Sequence, residues 1–370
     1  MYAKSIQKAG DFLVLLMTIT AAAMFFMAGD SIPLGVSEGL DVCVSVIIPS
    51  LFPFMIFSSF LLNSGIAAKI SKFFAYPAVK ILKLPEAAAA PFLLSLIGGF
   101  PVGAKLVNQL RRDKILSRRE ARRMALYCVG AGPAFLITAV GAKMLGSARL
   151  GLMLFAAQTC ASVVLAVFCG IGEKLPAEKQ HEAVNPAFPQ SGFSASLVDA
   201  ALSSLRAMAA VCAFVTVFSA LMSILSRSRV LAFVLSALPE ELRAFAEALI
   251  CGILEVTRGC LLAAKLPGFW KYPLICFMLS FSGFSVIFQI FANSPHIKIQ
   301  PLPFILARLA HGTVSTGIFL LLLRIFPAAA RVSLSGDSYT PRLSGSGPAS
   351  FMLFIMALLL IFSDKNSKKT

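Results

Sequence analysis

Apolar runs long enough to cross a bilayer recur along this chain, and most of its charges lie between them. A helical span needs about 20 mainly apolar residues, because the hydrocarbon core is about 30 Å thick and a helix rises about 1.5 Å per residue. The apolar share is 58% and charged residues make up 14%, with a mean hydropathy of +0.84. A soluble domain of 370 residues cannot hide that much apolar surface, since much of its exterior faces water. A disordered chain, a disulfide-stapled secreted domain and an ordinary soluble enzyme are therefore excluded. The fold class expected is an all-α polytopic membrane protein.

The net charge of +16, from 33 Lys and Arg against 17 Asp and Glu, reads as a set of topology signals between spans rather than as a nucleic-acid footprint. The partner it implies is the lipid bilayer, with no nucleic acid. Lys4 and Lys8 ahead of the first run, Phe12 to Met27, place the N-terminus in the cytoplasm. That run lacks a small-residue cleavage site and reads as a helix that stays. The eight cysteines fall within apolar segments without a CxxC pair, so neither a metal cluster nor a disulfide frame is indicated.

Two segments break the simple pattern. The apolar stretch Pro91 to Leu110 has lysines before it (Lys69, Lys72, Lys80, Lys83), on an expected amphipathic surface helix, and eight basic residues over 105–123. If both flanks are cytoplasmic, the stretch cannot cross. Its centre, Ile97-Gly98-Gly99-Phe100-Pro101-Val102-Gly103, suits the tip of a re-entrant hairpin. A second interruption, Val129-Gly130-Ala131-Gly132-Pro133, falls inside a span from about 124 to 145. Pro49 and Pro53 interrupt the span 36–62, and another span covers 150–171.

The pattern recurs. Leu84-Pro85-Glu86 returns as Leu238-Pro239-Glu240 at an offset of 154, which sets Glu255 opposite Pro101; Ala131-Gly132-Pro133-Ala134 aligns with Ser282-Gly283-Phe284-Ser285. The second half then has a span at about 208–224, a hairpin at 245–266, a broken span at 272–291 and a last span at 304–325. Three crossings per half, an odd number, makes the repeats inverted.

Pro49-Ser50-Leu51-Phe52-Pro53-Phe54, Gly99-Phe100-Pro101-Val102-Gly103-Ala104-Lys105, Gly132-Pro133, Glu255-Val256-Thr257, Ser282-Gly283-Phe284-Ser285 and Arg308-Leu309-Ala310-His311 occur in this order. In these motifs the chain resembles the nucleoside-recognition (Gate) domain family and, within it, the YlbJ-type sporulation integral membrane proteins. Arg258 and the apolar pair Val286-Ile287 depart from the family pattern. The resemblance implies a likeness to concentrative nucleoside transporters and an association with spore cortex formation. Expected domains are an N-terminal transmembrane helix (1–35), a first Gate-like repeat (36–172), a polar linker (173–205), a second, inverted repeat (206–327), and a linker with a short C-terminal hydrophobic segment (328–370).

The expected function is a transporter-like protein of the bacterial cell membrane that binds a small polar solute, nucleoside-like among others, between the repeats. No enzyme reading is favoured: HExxH and Walker sequences are absent. No cofactor is expected beyond a coupling Na⁺ or H⁺. A homodimer fits the architecture, though no motif requires one. A scaffold recruiting partners through the basic 105–123 loop, and an intramembrane enzyme acting on a lipid-linked precursor, are the rival readings.

Candidate site residues are polar groups and helix-breakers within spans. Glu255 either holds a cation or solute hydroxyl, or fixes the fold by pairing with Arg258 or Arg308. Thr257 adds a hydroxyl ligand or a cap. Gly99, Pro101 and Gly103 form the first hairpin tip, and serve either ligand-facing backbone or close packing. Gly132 and Pro133, with Ser282, Gly283 and Ser285, mark the broken spans, whose free carbonyls and hydroxyls suit Na⁺ or a sugar ring. Gln289 extends the Ser285 face. Arg308 and His311, spaced i and i+3, share a helix face; the histidine serves a proton relay or a structural contact. Lys105 is expected to snorkel to the cytoplasmic surface.

Overall fold

A computed structural model describes residues 31–63, 66–173, 193–227 and 229–327. The expected N-terminal helix (12–27), nearly all of the 173–190 linker and the short apolar run 351–362 lie outside the described residues. Those described form helices and connecting turns, with no strand among them.

Helix α1 (Ser31–Val42) runs through a π-helical turn, Cys43–Ile47, into α2 (Ile48–Asn63). Pro49 and Pro53 have no backbone N–H to donate, so each removes a bond from the helical ladder. The wide turn sits directly ahead of Pro49, and the two segments meet at 57°. Next comes α3 (Ile66–Phe73), which leads through a turn into a second π-helical segment, Pro77–Ile81. Lys69, Lys72 and Lys80 are exposed there with Phe73 and Tyr76, the mixed face expected of a surface helix.

The first hairpin is α4 (Ala89–Gly98) and α5 (Phe100–Arg112), packed together and broken only at Gly99. Helix α6 (Arg118–Ala125) opens on a capping box in which Ser117 and Glu120 satisfy each other's backbone N–H. The chain is then non-helical through 128–132 before α7 (Phe135–Met144), which is π-helical. Helix α8 (Ala148–Gly170) is a full span.

The same order follows again. Helix α9 (Phe193–Arg227) is 35 residues long and begins inside the stretch read as linker. After α10 (Arg229–Ser236) the second hairpin is α11 (Glu240–Leu254) and α12 (Val256–Ala264), broken at Glu255. The second broken span is α13 (Lys271–Phe281) and α14 (Gly283–Ala292), interrupted at Ser282. Helix α15 (Pro301–Ile325) closes the described chain.

One register needs correction. Pro85 and Pro239 do occupy equivalent places: each precedes the first helical turn of its hairpin, at φ −56°, ψ 147° and φ −52°, ψ 146° respectively. The arm that follows is two residues longer in the second hairpin, however. From break to break Glu255 stands opposite Gly99, not Pro101; Pro101 stands opposite Thr257, and Gly103 opposite Gly259.

Four described helices are long and apolar enough to cross a membrane, five if the bent α1–α2 pair counts as one. In α13–α14, 78% of the apolar window is buried inside the protein, against 39% for α8 and for α9 and 28% for α15. The second broken span is thus the interior element. Helix α9 packs on α1, α2 and α14, and α15 packs on α8 and α13.

Candidate functional site

The two hairpin tips and the two broken spans meet at one small cavity of about 30 Å³. Its polar lining is Glu255 and Thr257 from the second tip and Gln289 from α14; Pro101 of the first tip and Gly132 of the first broken span face them. The remaining wall is apolar: Ile47 and Leu51 at the α1–α2 bend, Val211 and Val215 on α9, with Phe100, Phe135, Val256 and Val286 between them. A cavity needs about 10–15 Å³ to hold one water, so this one has room for an ion or one or two waters.

Glu255 is 3% exposed and caps α12. It sits in extended backbone (φ −140°, ψ 114°), where a side chain can reach the orphan amides of the helix it precedes. Oε1 accepts from the Thr257 N–H at 3.0 Å and Oε2 from the Arg258 N–H at 2.7 Å. A carboxylate has about four acceptor positions, so the two cap bonds do not exhaust it. Both ion pairs expected of Glu255 are absent. The Arg258 guanidinium instead pairs with Glu38 on α1. Arg308 donates to the carbonyls of Leu126 and Val129.

The glycines divide by role. Gly99 lies at φ 81°, ψ −179°, a region open essentially to glycine alone, and its Cα stands 3.3 Å from where a Gly132 Cβ would be. Gly103 works by packing: a Cβ there would fall 1.7 Å from the Cys128 carbonyl oxygen, so the α5 backbone rests directly on the first break. Pro133 follows that break and starts the helical turn leading into α7. At the second break Ser282 takes φ 85° and Gly283 φ 72°; two consecutive left-handed residues end α13 and start α14. Gly283 lies against the Gly252 carbonyl and the Val256 N–H of the second tip. Ser285 accepts from the Gln289 amide at 3.4 Å and so orients the side chain that lines the cavity.

Arg308 and His311 lie outside the cavity. Both are 0% exposed, between α8, α13 and the first break. Arg308 reaches the carbonyls that the break leaves beyond α6, where a cation also meets the favourable end of the helix dipole, and stacks over Phe304. His311 Nδ1 faces the Ser280 carbonyl at 3.3 Å; Nε2 faces the Ser162 hydroxyl at 3.0 Å and the Gln158 carbonyl at 3.2 Å. Gln158 Oε1 in turn accepts from the Ala131 N–H at 3.3 Å, within the first break. Sequence reasoning overlooked Gln158, although a lone amide in an apolar span is itself a signal of a polar contact. Lys105 also differs from expectation: its Nζ donates to Ser59 Oγ at 3.4 Å instead of reaching for the surface. Among the described residues no group of three or more His, Cys, Asp or Glu is placed to hold a metal.

The basic stretch folds back on the protein. Arg111 donates to the Leu116 carbonyl, Arg122 to that of Lys298 and Arg123 to that of Lys83, while Arg119 pairs with Glu173.

Apolar spans around a buried polar site built at helix breaks define an all-α polytopic membrane protein. Residues 44–148, from the α1–α2 bend to the first residue of α8, match the Gate family, described as nucleoside recognition. The chain is also 28% identical over 315 residues to the sporulation integral membrane protein YlbJ of Bacillus subtilis (strain 168), covering 77% of this chain and 76% of that protein. The resemblance carried by the motifs is thus borne out. No solved structure matches the chain.

Proposed function

We propose that this protein binds a small polar solute, nucleoside-like among the candidates, between two inverted repeats, and moves or senses it across the cell membrane by alternating access. The observation that carries this reading is the meeting of both hairpin tips at one cavity with Glu255, Thr257 and Gln289 converging on it. Half-helix ends aimed at a shared cavity are the arrangement by which discontinuous helices bind polar ligands. The family description, nucleoside recognition, supports the solute class, and the relative's name supports a role in sporulation.

In this reading the present cavity is the closed form. It holds a coupling Na⁺ or a water, and a nucleoside-sized solute enters only once the tips part. The polar repeats run in opposite senses through the membrane, with the N-terminus and the 105–123 stretch in the cytoplasm. The remaining acceptor capacity of Glu255 takes a cation or a solute hydroxyl. Binding uses the chain's own groups, without a cofactor and without bond-making chemistry. The scaffold reading is weakened because four arginines of the basic stretch are already engaged within the protein. The Ser162–His311 pair has the spacing of a base-activated hydroxyl, but both side chains are buried away from the cavity, which argues against an enzyme.

The test is thermal stabilisation of the purified protein by nucleosides, sugars, amino acids and cell-wall precursors, each in Na⁺ and in K⁺. A ligand at 100 times its Kd stabilises the folded state by about 2.7 kcal/mol. A saturable shift in the wild type that Gln289→Leu and Glu255→Gln both abolish supports the site. A shift that survives both variants, or no shift with any class, sinks it.

A further inference from the structure

We propose that α15 is a clamp that couples the two helix breaks, with Arg308 holding the first and His311 the second, so that the breaks open together. The two residues are one helical turn apart on one face: Arg308 bonds Leu126 and Val129 at the first break, while His311 faces Ser280 beside the second break as well as Ser162 and Gln158 on α8. A second route joins the same points through α8. The Ala131 N–H bonds the Gln158 side chain, the Gln158 carbonyl faces His311, and His311 faces the Ser280 carbonyl. Each break is therefore tied to the other by side chains, with no step through the cavity.

The energetics make the tie stiff. Arg308 is fully buried, and no acidic side chain pairs with it among the described residues. Its charge is met by the carbonyls that the first break leaves free, so moving that break alone would strand a buried cation, a far larger penalty than a neutral hydrogen bond carries. The layer also has unused capacity: Gln158 Nε2 and Ser280 Oγ are buried without a partner. Those groups supply bonds to a second arrangement in which both breaks have shifted, as a two-state element requires. Arg308 and His311 are thus positioning residues. They hold Gly132 and the Ser282–Gln289 segment in place at the cavity without touching what binds there. The clamp needs no ligand, so it can fail while solute binding holds, and the reverse.

Native thiols report on it. Cys128 lies in the first break, Cys276 lies on α13, which the second break ends, and Cys251 lies beside Gly252, against which Gly283 of the second break packs; all three are buried. Their rates of modification by N-ethylmaleimide, read by peptide mass spectrometry, measure local opening. Arg308→Gln is expected to raise labelling of Cys128 and, about equally, of Cys276 and Cys251, by about tenfold, while Cys43, buried against α9 away from both breaks, stays at its wild-type rate. Gln158→Leu, which cuts the α8 route, gives the same pattern at smaller size. A rise confined to Cys128, no rise at any of the three, or an equal rise at Cys43, overturns the clamp. Should Arg308→Gln no longer elute as a monodisperse protein, Arg308→Lys, which keeps the charge but loses the forked donor, becomes the deciding variant with the same two outcomes.

Discussion

The two hairpins make the same break by opposite means. At the first, Gly99 turns the backbone through a conformation that only glycine holds, and no side chain takes part. At the second, Glu255 leaves the backbone extended and closes the open end of α12 with its own carboxylate. Both breaks face the same cavity, but only one brings a charge to it. The shape of the site is thus shared between the halves while its chemistry is not, and the charged half is the one that can discriminate among ligands.

The largest expected effect tests the shared shape. Gly103→Ala drives a Cβ into the Cys128 carbonyl, and Gly259→Ala drives one to within 2.1 Å of Gly252 Cα. Each should destabilise by about 3 kcal/mol, the upper part of the overpacking range, as a drop in the thermal midpoint in detergent. If one is tolerated, the halves do not share a packing rule. Next, Gly99→Ala should cost about 1–3 kcal/mol, chiefly through backbone strain, with its Cβ also pressed to 3.2 Å from the Gly132 nitrogen. Glu255→Ala should cost about 1–2 kcal/mol through the lost cap, with Thr257→Ala well below it. The contrast sharpens in ligand titrations: Glu255→Gln keeps one carbonyl acceptor for the cap yet loses the solute-dependent shift, whereas Gly99→Ala lowers stability and leaves the ligand preference unchanged. Smallest of all, Lys105→Met replaces a half-buried amine whose bond to Ser59 is long, and its midpoint should move by less than about 1 kcal/mol.

Much of this architecture was legible because helix breaks in a membrane are written in residue types. Gly99, Gly132-Pro133 and Ser282-Gly283 all mark real interruptions, and Glu255 is conspicuous as an acid among apolar neighbours. The partners of Arg308 and His311 were not legible: Arg308 bonds backbone carbonyls about half a chain away, and carbonyls carry no sequence signal. Charge complementarity pointed to Glu255 instead, and the fold chose a helix end. The two-residue difference between the hairpin arms was hidden for a related reason. The Leu-Pro-Glu match fixes only the start of each arm, and helix length depends on where the tip must reach. Val211 and Val215, which wall the cavity from α9, look like any lipid-facing valines until α9 is packed.

The dependence of the first break on Arg308 has a consequence for how the chain is made. Residues 126–133 emerge from the ribosome long before residue 308. Until α15 is made, the carbonyls of Leu126 and Val129 lack the guanidinium they bond in the finished fold. The first half can therefore be made, but its break is not completed, before α15 exists. A chain cut short before Pro301 lacks the donor that both carbonyls meet in the finished fold, so the last described helix completes a site that the first half began.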